Sequence, residues 1–272
     1  MHPRLLQFGH IAIPTYGALT ALALIAALAA AVHFARRLSL DPNKVWTLSL
    51  YAILSTLIGA RLLLVLAHLS AFRRHPFWIL GLTGIRDFWI APVSILIGVA
   101  TAILYALAEG LPLLRLADAL APAAALAFAI NRLGAFLAGL DFGTPATLPW
   151  SVTYTSRIAA FWYHTPLGIP LHPVQLYDAA ISLIVVALLI WWVPRRRQDG
   201  ELAGAALFLF GVANVFLSFY RADLSHLLFS LALSITAVLV GAALWIERPH
   251  PAPNNVPRSP RYTSSDEPPA TP

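Results

Sequence analysis

The sequence contains no cysteine, a single methionine and few charges, which make up 11% of its 272 residues. Without cysteine there is no disulfide framework, no thiolate metal site and no cysteine nucleophile. Any thiol chemistry must take its thiol from a substrate. A soluble domain usually carries about 25% charged residues, and this chain falls far short of that. With 59% apolar residues, lipid has to be the solvent for most of its surface. Lysine is nearly missing too: of 18 Lys+Arg, only Lys44 is lysine. The net charge of +6 could serve nucleic acid, but the basic residues gather at the ends of apolar runs. That placement marks membrane topology instead, so no nucleic-acid partner is expected.

What is abundant is the long apolar run. A membrane span needs ~20 apolar residues to cross a ~30 Å hydrocarbon core, and its backbone must be helical because unpaired polar groups are costly in lipid. Seven such runs are read near 15–35, 47–69, 90–110, 117–139, 174–193, 202–221 and 227–246. The expected fold is therefore all-α, a polytopic membrane protein with about seven transmembrane helices over residues 1–247. A Pro- and Ser-rich tail, 248–272, is expected to be disordered. Ala29-Ala30-Ala31 could serve as a signal-peptide cleavage site, but Arg36 and Arg37 follow the apolar run rather than precede it, so the first run is read as a retained span.

The positive-inside rule sets the direction. With the N-terminus outside, ten Lys/Arg fall on the cytoplasmic side and six on the outer side, with Arg61 and Arg132 inside spans. N-out, C-in is the expected orientation, in a plasma membrane.

Arg61 and Arg132 are the most informative residues. A mid-span cation costs roughly 2.5–3.5 kcal/mol on insertion scales and usually faces a polar cavity. Asp118, 14 residues before Arg132, is ~21 Å away along the same helix and cannot pair with it. Both arginines fall ~12 Å below the outer ends of their spans, and few acids are evident nearby. Two guanidiniums at one depth point to an anion, and phosphate suits their bidentate geometry.

Other polar residues lie toward the same level. They are Tyr16, the loop with Asp141, Trp150, Arg157 and His164, then His172 and Gln175, and at the sixth span's end Asn214, Ser218 and Arg221. His172 and Gln175, three apart, are expected to share a helix face, though His172 could equally cap the helix. Tyr16 and Trp150 could be interface anchors, and Arg221 could pair with Asp223. The 141–171 segment, broken by Pro145, Pro149, Pro166 and Pro170, is expected to be an external substrate-handling loop, with Thr147 and Thr165 accessible.

Five short motifs fall in a fixed order: Ile13 to Gly17, Gly59-Ala60-Arg61, Asp118 to Pro122, Asn131 to Gly143, and His172-Pro173-Val174-Gln175-Leu176-Tyr177. Together they resemble the bacterial phosphatidylglycerol–prolipoprotein diacylglyceryl transferases. Within that family's signature, Arg132, Gly134, Phe136, Gly139 and Gly143 match, and the His-Pro-x-Gln-Leu-Tyr motif is intact. Ala135 and Ala138 stand where the signature has asparagines, and Leu140 stands at its glutamate. Asp141 is displaced by one residue, which on a continuing helix would turn it ~100°. Ile90-Ala91-Pro92-Val93-Ser94 replaces a His-Gly-Gly or Tyr-Gly-Gly, and Asn214 to Ser218 replaces an Arg-x-x-x-Glu.

The resemblance implies transfer of diacylglyceryl from phosphatidylglycerol to the lipobox cysteine of a prolipoprotein signal peptide, with no metal or cofactor. Arg132 would hold the phosphate, with Arg61 or Arg221 assisting, and His172 or Asp141 would be the base. Tyr16, Tyr177, Gln175 and Gly143 would complete the substrate site. Two alternatives keep part of this: a degenerate homologue that binds anionic lipid or lipoprotein precursor, and a small anion transporter.

Overall fold

A computed structural model describes residues 3–8, 11–75, 89–222 and 227–245. The tail from 248 and Asp223 lie outside the described residues. Two short strands, β1 (Arg4–Phe8) and β2 (Ile11–Pro14), form an antiparallel hairpin before the first helix. The helices are α1 (Thr15–Arg37), α2 (Pro42–Ala67), α3 (Leu69–Arg74), α4 (Ile90–Ala108) and α5 (Leu113–Ala138). A loop region holds β3 (Val152–Thr153), α6 (Arg157–Tyr163) and β4 (Pro170–Leu171), followed by α7 (Val174–Trp192), α8 (Glu201–Ser218) and α9 (Leu227–Trp245).

Six of these helices are long and apolar enough to cross a membrane: α1, α2, α4, α5, α7 and α8. The apolar stretch described in α9, Ser230–Leu244, is shorter. The protein is an all-α, multi-pass membrane protein. Each expected span coincides with a helix, and the boundaries move where polar residues can begin one. Helix α2 starts at Pro42, five residues earlier than the apolar run, because the Asp41 carboxylate accepts the Asn43 amide at 2.9 Å. An N-cap followed by proline in the first turn is a strong start signal.

Helix α5 is the hub. It packs against α1 and α7 and also touches α8, while α2 lies between α1 and α4, and α9 packs on α8. Small residues allow these close approaches, since helix association in lipid relies on packing rather than on hydrophobic exclusion. A Cβ built on Gly241 would sit 2.6 Å from the Gly204 carbonyl oxygen, so α8 and α9 meet backbone to backbone. Asn214 secures that pair by donating to Ser234 Oγ at 2.6 Å.

The bundle has two different ends. At one, the ends of α1, α4 and α7 meet the starts of α2, α5 and α8, and ion pairs collect there. Lys44 Nζ lies 2.9 Å from Glu109 Oε2. The fully buried Asp118 carboxylate accepts the Gly200 and Ala203 amides at 2.8 and 2.9 Å. It therefore caps α8 from a neighbouring helix, and Arg196 approaches it at 3.3 Å. The opposite end carries the β hairpin, α3, α6 and the β3–β4 ladder, with the last turn of α5 and the first of α7 beneath them.

Candidate functional site

Arg132 stands six residues before the last residue of α5, Ala138, and Arg61 six before the last residue of α2, Ala67. Their similar depth agrees with the sequence reading, but the structure does not join them. The Arg61 guanidinium lies over the Phe72 ring at 5.8 Å. Arg132 is joined to Arg221 instead, through a residue the sequence reading passed over. Asp178 Oδ2 lies 3.1 Å from Arg221 Nη2 and 3.5 Å from Arg132 Nε. Asp178 is nearly buried, with 7% of its side chain exposed.

The expectation that few acids lie near Arg132 is therefore corrected, because Asp141 Oδ2 also lies 2.7 Å from Arg132 Nη1. Sequence distance hid Asp178, and the helix stop decided where Asp141 points. Asp178 reaches Arg132 only because α7 packs on α5. A signal was available, however: an acid inside an apolar span, directly after an intact motif, is rare enough to be read as functional. Arg132 also stacks on Phe128, its Cζ 4.6 Å from the ring centre. Its Nε is buried and has no hydrogen-bond partner among the described residues.

Asp141 owes its position to a helix stop. Gly139 takes φ +83° at the C-cap of α5, and Asp141 itself takes φ +56°. The first conformation favours glycine, and aspartate is among the few residues that tolerate the second. The helix does not continue, so the expected 100° turn of Asp141 does not apply. The reversed chain points its carboxylate back at Arg132.

The loop from Gly143 to His172 is laced to the bundle. Gly143 N–H donates to the His172 carbonyl at 3.2 Å, and His172 N–H donates to the Thr144 carbonyl at 3.0 Å. Gly143 also bridges Arg221. A Cβ on Gly143 would fall 2.5 Å from the His172 carbonyl oxygen, so a larger residue would prise this junction apart. His172 precedes α7, whose N-cap is Pro173. It therefore shares no helix face with Gln175 and caps nothing. Its ring lies 5.0 Å from that of Tyr220 and 6.3 Å from that of Tyr177, with Nδ1 buried and unpartnered.

Gln175 is fully buried, and its amide donates to the Leu140 carbonyl at 2.7 Å and to the Tyr154 hydroxyl at 3.1 Å. It ties the α5 stop to the loop. Burial raises the pKa of the Tyr154 phenol, against the opposing hydrogen bond from Gln175. Trp150 Nε1 donates to the Tyr177 hydroxyl at 2.7 Å. Tyr16 sits in the first turn of α1, half-buried. Thr165, expected to be accessible, is buried, with its hydroxyl donating to the Gly139 and Ala159 carbonyls. Thr147 is exposed.

Beneath the two arginines runs a cavity of about 690 Å³ between α5, α7, α8 and α9. Arg132, Asp178 and Arg221 line it together with apolar side chains such as Leu120, Phe128, Ile181, Leu207 and Phe210. From Ala117 to Arg132 its lining on α5 spans 15 residues, or ~22 Å of helix. That exceeds the ~15 Å half-thickness of a hydrocarbon core. An apolar slot of leaflet length that ends at two cations is shaped for an amphiphile with an anionic head.

Fold and site together define a multi-pass membrane protein with a lipid-sized slot that ends at two arginines. The chain belongs to the prolipoprotein diacylglyceryl transferase family, whose sequence profile matches residues 3–247. It is similar to the phosphatidylglycerol–prolipoprotein diacylglyceryl transferase of Clostridium tetani, with 25% identity over 89% of this chain and 95% of the relative. The Trichormus variabilis transferase of that name is 28% identical over 96% and 95%. The one from Rhodospirillum centenum is 32% identical over 72% of each chain.

Proposed function

We infer that this protein transfers the diacylglyceryl group of phosphatidylglycerol to the cysteine thiol of a prolipoprotein, as a multi-pass enzyme of the bacterial plasma membrane. The observation that carries the mechanism is the Arg132–Asp178–Arg221 cluster at the end of the apolar slot. The slot takes acyl chain, and the two guanidiniums take the phosphate.

The thiolate sulfur attacks the glyceryl carbon that bears the phosphate oxygen. A C–S bond forms, the C–O bond breaks, and its electron pair leaves with glycerol phosphate. The diester monoanion becomes a monoester dianion, so negative charge grows on the group the arginines hold. Catalysis follows from interactions that strengthen as that charge develops. The reactive thiol must lose its proton, and the base in this reading is Asp141, whose exposed carboxylate lies beside Arg132. Family membership supports this reading, together with a clamp in which Arg221 fills the place sequence offered to either Arg61 or Arg221.

The orientation we propose is N-out, C-in. Arg36, Arg37, Lys44, Arg115 and Arg195 to Arg197 all lie at the bundle end away from the site, and basic residues are retained in the cytoplasm. The site would then face the outer leaflet, and α9 would make the seventh crossing. Thioether formation on a lipobox peptide by purified protein in phosphatidylglycerol liposomes, read by mass, tests the activity. Tight phosphatidylglycerol binding with no product would favour a lipid-binding homologue instead.

A further inference from the structure

The two carboxylates at the arginine pair are held in opposite ways. Asp178 is 7% exposed, lies within α7 and touches both Arg132 and Arg221. Asp141 is 52% exposed, lies on the loop after α5 and is paired, among the described residues, only with Arg132. Two cations and two carboxylates already balance, so a phosphate gains net attraction to the pair when a carboxylate withdraws from it. Releasing Asp178 would strand a charge in the bundle, which is strongly unfavourable. Releasing Asp141 returns a half-exposed carboxylate to water, and exposed ion pairs are weak. The backbone on either side is held, the Leu140 carbonyl by Gln175 and the Phe142 carbonyl by the Ala222 amide, so the exchange needs only the exposed Asp141 side chain to turn.

We propose that the lipid phosphate displaces Asp141 from Arg132 while Asp178 stays as the positioning residue of the clamp, so that lipid loading frees the carboxylate that deprotonates the thiol. This rests on the transferase reading above. In the empty protein Asp141 is a place-holder for the phosphate, and its carboxylate is masked by Arg132. With lipid bound, the same carboxylate faces the loop side, where the thiol must arrive. Thiol activation then waits for the second substrate, which protects the peptide thiolate from unproductive reactions. The proton moves from sulfur to Asp141 and then to solvent. Among the described residues, Arg132, Asp178, Arg221, His172, Tyr177 and Tyr220 are the titratable groups around this exchange, on α5, α7, the loop before α7 and the loop before α9.

The test uses Asp141→Asn, Asp141→Glu and Asp178→Asn in the full chain, in nanodiscs whose phosphatidylglycerol content is varied in a zwitterionic lipid. With the place-holder neutralised, Asp141→Asn should bind phosphatidylglycerol twofold to tenfold tighter than the parent. Its transfer at pH 7 should fall 100-fold or more, since a positioned base contributes about 10²–10⁴. Raising the pH to 9 should recover at least tenfold of that, because the thiol then ionises unaided. Asp141→Glu should restore most activity at pH 7. Asp178→Asn should instead weaken phosphatidylglycerol binding at least fivefold, with no recovery at high pH. An Asp141→Asn protein that loses lipid binding in step with transfer, or whose loss pH does not relieve, overturns the proposal. A parent protein without transferase activity would overturn the transferase reading alone, and the binding comparison would still decide the exchange.

Discussion

Asp178 holds Arg221 at 3.1 Å and Arg132 at 3.5 Å with the same carboxylate oxygen, which makes one clamp out of arginines that lie 89 positions apart in sequence. Arg132→Ala should abolish transfer while the protein still inserts and melts normally. Arg132→Lys should retain no more than a few per cent, because lysine keeps the charge and loses the planar fork. Product formation by mass, with a thermal melt as control, checks both. Full activity in Arg132→Ala would sink the clamp and leave the family assignment standing.

Arg221 and Arg61 should behave differently. Arg221 shares Asp178 and lines the slot, so Arg221→Ala should cost about 10²-fold or more in transfer, on the scale of lost electrostatic contacts to developing charge. Arg61 lies over Phe72, and Arg61→Ala should keep a substantial part of the activity. Equal losses in parallel assays would place Arg61 in the site after all.

The opposite end should govern stability. Asp118 satisfies two α8 amides and faces Arg196. Asp118→Ala leaves the Gly200 and Ala203 amides buried without their acceptor, at about 1–3 kcal/mol for each unsatisfied group, while Arg196 keeps Asp199 at 2.9 Å. A large drop in melting temperature is expected, with phosphatidylglycerol binding intact in the fraction that remains folded.

Acid should loosen that end through Asp199. Its partial burial opposes ionisation, but Arg115 and Arg196 outweigh it and hold the carboxylate below its ordinary range. A depressed folded value means that the stabilisation is complete above the unfolded value, about pH 3.9. It is then lost as pH falls from there through the lower folded value. The melting temperature of Asp199→Asn should therefore fall less steeply below about pH 4 than that of the parent, and by a modest amount because the pair is partly exposed. Parallel curves would remove Asp199 from acid sensitivity.

The cysteine-free background makes labelling straightforward. Thr147→Cys should react with a membrane-impermeant thiol reagent, and phosphatidylglycerol should slow it. Thr165→Cys should react far more slowly in the folded protein, because that position is buried between Gly139 and Ala159. Reporter fusions near residues 40, 155 and 255 should read cytoplasmic, external and cytoplasmic. A cytoplasmic signal at 155 would overturn the orientation.

The helical membrane architecture was legible in sequence because hydrocarbon imposes a local rule: about 20 apolar residues, helical, with charge excluded. Composition and run length were enough for that, and the cost of burying a cation singled out Arg132 before any contact was known. Motif order carried the family. Which charges meet was not local. Asp178 reaches Arg132 and Arg221 only after α5, α7 and the loop after α8 have packed, and Asp141 reaches Arg132 only because the helix stops at Gly139. Helical spacing misled at both places, turning Asp141 away from the position of the family's glutamate and setting His172 on the face of Gln175. The sequence by itself determined that a cation, Arg132, sits within an apolar span. Tertiary packing alone decided its partners, because ion pairing follows distance in space, and a helix stop or a helix crossing changes that distance without changing the residues.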